Sequence, residues 1–219
     1  MDTILSYRPS DLLMFSPETY FRQYALFNQD LWPLQLALPL VAGLLLFYAL
    51  RGGRHQGRGV TLVLAVLWAF VAWGFFLQRY ADINLAAPTF AVAFVAEAGL
   101  LLAAGLFGGL RFGNDWWVAR APGLALYVFA VVGFPFLAVI DGRPWLQAEL
   151  FGMAPDPTAL GTLGLLLMAR GAVRWALMFL PVAWITTTSL TYAAMDYSLG
   201  IVTPFAALFA LALAVSFSR

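Results

Sequence analysis

Apolar residues in this chain come in long unbroken blocks rather than in the one-sided stripes of a soluble fold, and short polar turns between the blocks carry most of the arginines. A helix that crosses a bilayer needs about 20 consecutive apolar residues. Blocks of that size predict spans at Trp32–Leu50, Val60–Leu77, Leu85–Leu110, Pro122–Ile140, Trp175–Thr191 and Leu199–Phe217. A further block, Thr158–Ala169, is shorter. Counted from Asp156, it reaches only about 21 Å as helix, against a hydrocarbon core of roughly 30 Å.

Ahead of the first block, Ser16-Pro17-Glu18-Thr19 reads as a helix start, with Ser16 as N-cap and Pro17 in the first position. Tyr20, Phe21, Tyr24 and Phe27 then recur at near-helical spacing. They predict a short amphipathic helix at the membrane interface. The first 31 residues mix charges and lack a continuous apolar core, so they are not expected to act as a signal peptide.

Arginine bias sets the expected orientation. The first connection holds Arg51, Arg54 and Arg58 and no acid, which makes it cytoplasmic. If the short block crosses, Arg111, Arg120, Arg170, Arg174 and Arg219 fall on that same side. Only Arg8, Arg22, Arg79 and Arg143 then lie outside. Six crossings would instead even the split, so seven is the expected count, with the N-terminus outside and the C-terminus inside.

Composition agrees with a membrane setting and removes several chemistries. Hydrophobic residues make up 63% of the 219 and charged residues 11%, too few charges to coat a soluble surface. A net charge of +1 gives no reason to expect a nucleic-acid partner. Without cysteine there is no thiolate chemistry or disulfide exchange. His55 is the single histidine, which excludes bis-His haem and histidine-cluster metal sites. All twelve basic residues are arginine, so no lysine is available for a retinal Schiff base. No cofactor and no metal site is expected.

Glu97 is the first candidate for chemistry, because it stands alone near the middle of the third block. A carboxyl there must be protonated, hydrogen-bonded or turned to a wet cavity. Glu97 lies about 20 Å above the cytoplasmic end and Thr186 about 18 Å above it, so the run Thr186–Ser189 is at matching depth. Thr186 and Thr187 are therefore candidate partners, with Thr162 in the short block as a further intramembrane polar group. The plain alternative is a neutral packing acid held by a threonine hydroxyl, with the other hydroxyls bonded back to their own helix.

Asp156, at the start of the short block, is expected to cap that helix, with Pro157 in its first turn. A buried helix start of this kind can also face an anionic ligand, although Asp156 would offset part of the dipole. An outer polar cluster completes the candidates: Arg22, Arg79, Asp82, Asn84, Asp141, Arg143, Glu149 and Asp156. These residues either pin outer loops together by arginine–carboxylate pairing or form a vestibule above Glu97. Ala206, Ala210 and Ala214 form a small-residue stripe suited to close packing on a neighbouring helix or a second protomer.

The stretches Tyr7–Pro17, Trp32-Pro33, Arg79-Tyr80 with Ile83-Asn84, and Pro155–Thr158 with Thr162-Leu163-Gly164 resemble an uncharacterised family of small bacterial inner-membrane proteins. The family is defined by a domain of unknown function and its members are loosely labelled permeases. The resemblance implies a multi-pass protein of the inner membrane and supplies no activity or site residue. A major-facilitator fold, with about twelve spans, does not fit this length.

The expected fold is thus an all-α membrane protein of about seven transmembrane helices, the fifth short, with an N-terminal interfacial helix, in one integral domain over residues 1–219. The expected function is transport of a small solute or of protons, with Glu97 as protonatable group. The alternatives are a non-catalytic subunit or assembly factor of a larger membrane complex, and a membrane-embedded enzyme using Asp82, Asp141, Glu149 and Asp156. The bilayer is the expected partner.

Overall fold

The computed structural model describes residues 15–52, 54–113 and 117–216. Arg8 and Arg219 lie outside them, as does the stretch Tyr7–Met14.

Ser16 opens the first helix. Its hydroxyl accepts from the Thr19 amide at 3.3 Å and Pro17 follows, so α1 runs Pro17–Asp30. Tyr20, Phe21, Tyr24 and Phe27 are all buried against the bundle. The aromatic face of the expected interfacial helix therefore packs on protein.

A 3₁₀ turn leads into α2 (Leu38–Arg51), and α3 (Arg54–Phe70) runs on through a π-helical turn at Val71–Leu77. Then come α4 (Ala87–Phe107), α5 (Trp117–Val128), a second π-helical turn at Phe129–Gly133, and α6 (Phe134–Ile140). The chain closes with α7 (Pro155–Met168), α8 (Val173–Ala194) and α9 (Val202–Ser216). The only strands among the described residues are β1 (Arg111–Phe112) and β2 (Ala169–Arg170), a two-residue antiparallel bridge.

Among the described residues, five stretches are long and apolar enough to cross a bilayer: Leu34–Arg51, His55–Asp82, Ala87–Phe107, Arg120–Ile140 and Val173–Ala194. The expected count of seven exceeds this by α7 and α9. α7 falls short by length, with 14 residues, and α9 is described over Val202–Ser216. Leu40, Val66, Val92, Ile140, Phe179 and Leu208 stand exposed on the outer helices, a surface suited to lipid.

At the centre is α7. All 14 of its residues are buried, with α5, α8 and α9 packed around it and α2 and α3 alongside. Two glycines let α5 come close: a Cβ on Gly123 would stand 2.6 Å from the Gly164 carbonyl oxygen, and one on Gly164 would stand 2.7 Å from the Tyr127 amide. Backbone against backbone is the packing that small residues allow between membrane helices.

Turns gather at two ends. At one, Arg111 pairs with Arg170 across the β bridge. Gly52 and Gly57 approach the carbonyl oxygens of Phe112 and Leu110 there. At the other, Asp30 of α1 forms an ion pair with Arg79, Asn28 donates to Leu146 and Ala148 oxygens, and Arg143 reaches Tyr197. α7 starts at this second end and finishes at the first. On α9, Thr203 and Ala207 are buried and Ala206 is half-buried. The side chains of Ala210 and Ala214 lie outside the described ones.

Candidate functional site

The start of α7 is built by a turn that uses its own side chains. Gly152, at a φ of 84° that suits glycine, bends the chain inward. The Thr158 hydroxyl donates to the Ala154 oxygen at 2.6 Å and accepts from the Gly152 amide at 2.8 Å. The helix begins at Pro155 with Ala154 in the capping position. Asp156 therefore does not cap it, contrary to expectation, because its carboxylate is taken by α8.

Three donors on α8 do this. Trp184, Thr188 and Tyr192 recur every fourth residue, which aligns them on one helix face. The Trp184 indole N–H donates to Asp156 Oδ1 at 2.7 Å. Asp156 Oδ2 accepts from the Thr188 hydroxyl at 3.1 Å and the Tyr192 hydroxyl at 2.6 Å. All four residues are buried, and Asp156 is wholly inaccessible.

The network continues outward. The Tyr192 hydroxyl also lies 2.9 Å from Glu149 Oε1. Arg143 Nη2 donates to Glu149 Oε2 at 3.3 Å and to the Tyr197 hydroxyl at 3.1 Å. Its Nε meets the exposed Asp141 carboxylate at 3.1 Å, and its guanidinium lies 3.6 Å over the Phe21 ring of α1. A single file of polar groups thus runs from Asp141 at the surface through Arg143, Glu149 and Tyr192 to Asp156.

Counting hydrogens constrains this file. The two short contacts of the Tyr192 oxygen, to Glu149 and to Asp156, need two hydrogens, and a phenol has one. The second hydrogen must come from a carboxyl group, so at least one of Glu149 and Asp156 is protonated in this arrangement. Burial pushes the Glu149 carboxyl up to about 7, with Arg143 pulling it down and Asp156 raising it further.

Other expected site residues lie elsewhere. Glu97 is fully buried, and neither carboxyl oxygen has a hydrogen-bond partner. Thr186 and Thr187 do not reach it: their hydroxyls bond back to the Val182 and Ala183 oxygens, each at 3.0 Å. Thr162 accepts from the Trp68 indole at 2.9 Å. Arg22 and Asp82 are exposed, Arg79 pairs with Asp30, and Asn84 accepts from the Ala86 amide ahead of α4. Of the eight outer residues, four come together in the file: Asp141, Arg143, Glu149 and Asp156. The described residues contain no cluster of three or more metal-ligating side chains.

Thr188, expected within the Thr186–Ser189 run at the depth of Glu97, serves Asp156 instead, and Trp184, Tyr192 and Tyr197 are site residues that the sequence reading does not name. Trp184, Thr188 and Tyr192 carry a signal in sequence, as donors at four-residue spacing along one span.

A family profile matches residues 17–219, from the first residue of α1 to the end of the chain. The chain belongs to a family of unknown function, DUF6064. The matched range takes in every residue of the polar file. Comparison with curated proteins gives no match, and comparison with solved structures gives none.

Proposed function

We propose that this chain moves a small solute across the cytoplasmic membrane together with, or in exchange for, a proton, and that the Glu149–Tyr192–Asp156 file is its protonatable centre. The observation that carries the reading is the lone phenol hydrogen between two buried carboxyl groups. A proton there can pass between Glu149 and Asp156 through Tyr192 by short hydrogen bonds, while Arg143 balances one negative charge. Intramembrane acids linked to a polar path are the usual sites of proton relay. Glu97 keeps a lesser part: it lies one turn along α4 from Phe94, whose ring packs 5.3 Å from Trp184.

The reading includes seven crossings, with the N-terminus outside and the C-terminus cytoplasmic. In it α7 is the short fifth crossing and α9 the last. Support comes from the course of α7 between the two gathered ends. A short helix enclosed by protein needs no lipid-spanning length of its own. The Arg111–Arg170 end is then the cytoplasmic one.

Proteoliposomes under a pH gradient, screened against pools of small solutes, test the reading. Solute-dependent proton flux is expected in the wild type and absent in Tyr192→Phe and Glu149→Gln. Flux that survives both substitutions overturns it. In the infrared spectrum, a carboxylic C=O band that titrates near pH 7 and vanishes in Glu149→Gln is expected.

A further inference from the structure

Beside the polar file, at the α1 end of the bundle, a cavity of about 430 Å³ opens between the start of α2 and α6. A volume of this order is typical of small-molecule sites. Its walls are almost wholly apolar, with Pro39, Val132, Pro135 and Leu146 among them. Trp32 and Trp145 flank the cavity, and Leu36 and Phe136 beside them are 63% and 51% exposed. Apolar groups exposed on spanning helices face lipid, so the cavity opens sideways to the bilayer. Tryptophan at such a mouth sits where the apolar and wet layers meet.

Two polar side chains interrupt this apolar lining: Asn28, whose amide donates to the Leu146 and Ala148 oxygens, and Gln35. Gln35 Oε1 is buried and accepts no hydrogen bond. Its amide nitrogen is committed to the Asn28 carbonyl, and the opposite rotamer would set one acceptor against another. Gln35 lines the cavity, and its oxygen is an unmet acceptor within that wall, a cost that a donor brought by a ligand would relieve. A second hollow of about 60 Å³ shares Gln35, Pro39, Val131 and Leu150 with the first and extends inward to Ala42 and Phe151. Ala148 and Leu150, on the cavity wall, flank Glu149 in sequence. The π-helical turn at Phe129–Gly133 supplies Val131 and Val132, and such turns widen a helix and recur at functional sites.

We infer that this cleft admits the transported molecule from the bilayer, and that the molecule is an amphiphile: a flexible apolar chain ending in a hydroxyl or amine that donates to Gln35 Oε1. The apolar walls take the chain, the unmet oxygen selects the head, and the loop around Glu149 separates the bound molecule from the proton file. The inference rests on the transport reading above, since a resident lipid would need no proton centre.

The experiment uses full-length protein in nanodiscs and palmityl alcohol carrying a mid-chain diazirine, with the methyl ether of the same probe as control. Photolabelling is expected on peptides containing Val131–Phe136 and Trp145–Leu150. The alcohol should label about three- to tenfold more than the ether, the worth of one net hydrogen bond. Val132→Trp, at an exposed wall position, should block labelling without disturbing the fold. Gln35→Met should erase the difference between alcohol and ether. Labelling spread over all helices, or equal for both probes in the wild type, overturns the inference. Strong labelling by a diazirine phospholipid that the alcohol fails to displace also overturns it, and marks a resident lipid. The two readings fail separately. Cleft labelling with no solute-dependent proton flux removes the transport reading. Proton flux that Val132→Trp leaves intact removes the cleft alone.

Discussion

Asp156 and Glu97 are both fully buried acids in one helical bundle, and their surroundings are opposite. Asp156 accepts three hydrogen bonds from α8, while Glu97 accepts none. Burial alone therefore does not mark a site. A buried carboxyl with converging donors is held in place by several helices and couples to its neighbours. A buried carboxyl without them is a cost that the rest of the fold carries.

This contrast gives its sharpest test in opposite signs. Asp156→Ala strands three buried donors, so it should lower unfolding stability by about 3–5 kcal/mol. Thermal unfolding in mild detergent measures the loss, and a change under about 1 kcal/mol would remove the structural role assigned here. Next in size is Gly164→Ala, which has no contact with either acid but forces α5 away from α7. Its new methyl would meet backbone at 2.7 Å, so a loss of about 1–3 kcal/mol is expected. Glu97→Leu should run the other way and stabilise by about 1–3 kcal/mol, because it deletes polar atoms that have no partner. A destabilised Glu97→Leu would mean that Glu97 has a partner in some other state, and the contrast would fail.

The remaining effects are smaller. Glu149 has its carboxyl raised to about 7 from an ordinary 4.5, so its neutral form is the favoured one in the fold. Its stabilising contribution is fully present below pH 4.5 and is lost as pH rises through 7. The wild type should thus lose more stability than Glu149→Gln between pH 5 and pH 8, and equal losses would remove the claim. Smallest is the pair Thr188→Val and Thr187→Val. The first gives up a bond to Asp156 and should cost about 1 kcal/mol, the second gives up a bond to its own helix and should cost about half that or less.

Much of the frame was legible along the chain. The start of α1 shows in Ser16-Pro17, and the limits of α7 show in the short apolar block between Asp156 and Ala169, because caps and block length are local properties. The role of Asp156 was not local. Its donors lie 28 to 36 residues away on α8, so the nearby sequence offered only the capping reading. Glu97 stood out for the converse reason, since isolation in an apolar block is visible at once whereas the want of a partner is not. Among Thr186, Thr187, Thr188 and Ser189, only the rotational phase of α8 against α7 decides which hydroxyl reaches across. That phase is fixed by packing, including the Gly123–Gly164 approach that seats α7 in the bundle. The outer cluster divided for a similar reason: Arg79 is drawn to Asp30 of α1 and leaves the acids of the later loops to Arg143.

The enclosure of α7 has a consequence for how the protein is made. A helix of 14 residues with an acid in its first turn is a poor candidate to enter a bilayer alone. The groups that accept its acid belong to α8, which leaves the ribosome later. If α7 crosses as proposed, it waits near the surface until α8 has emerged, and the two enter as a pair with Asp156 shielded by Trp184, Thr188 and Tyr192. A chain cut just after Met168 would keep four apolar stretches of spanning length and lack the helix that donates to the acid of α7.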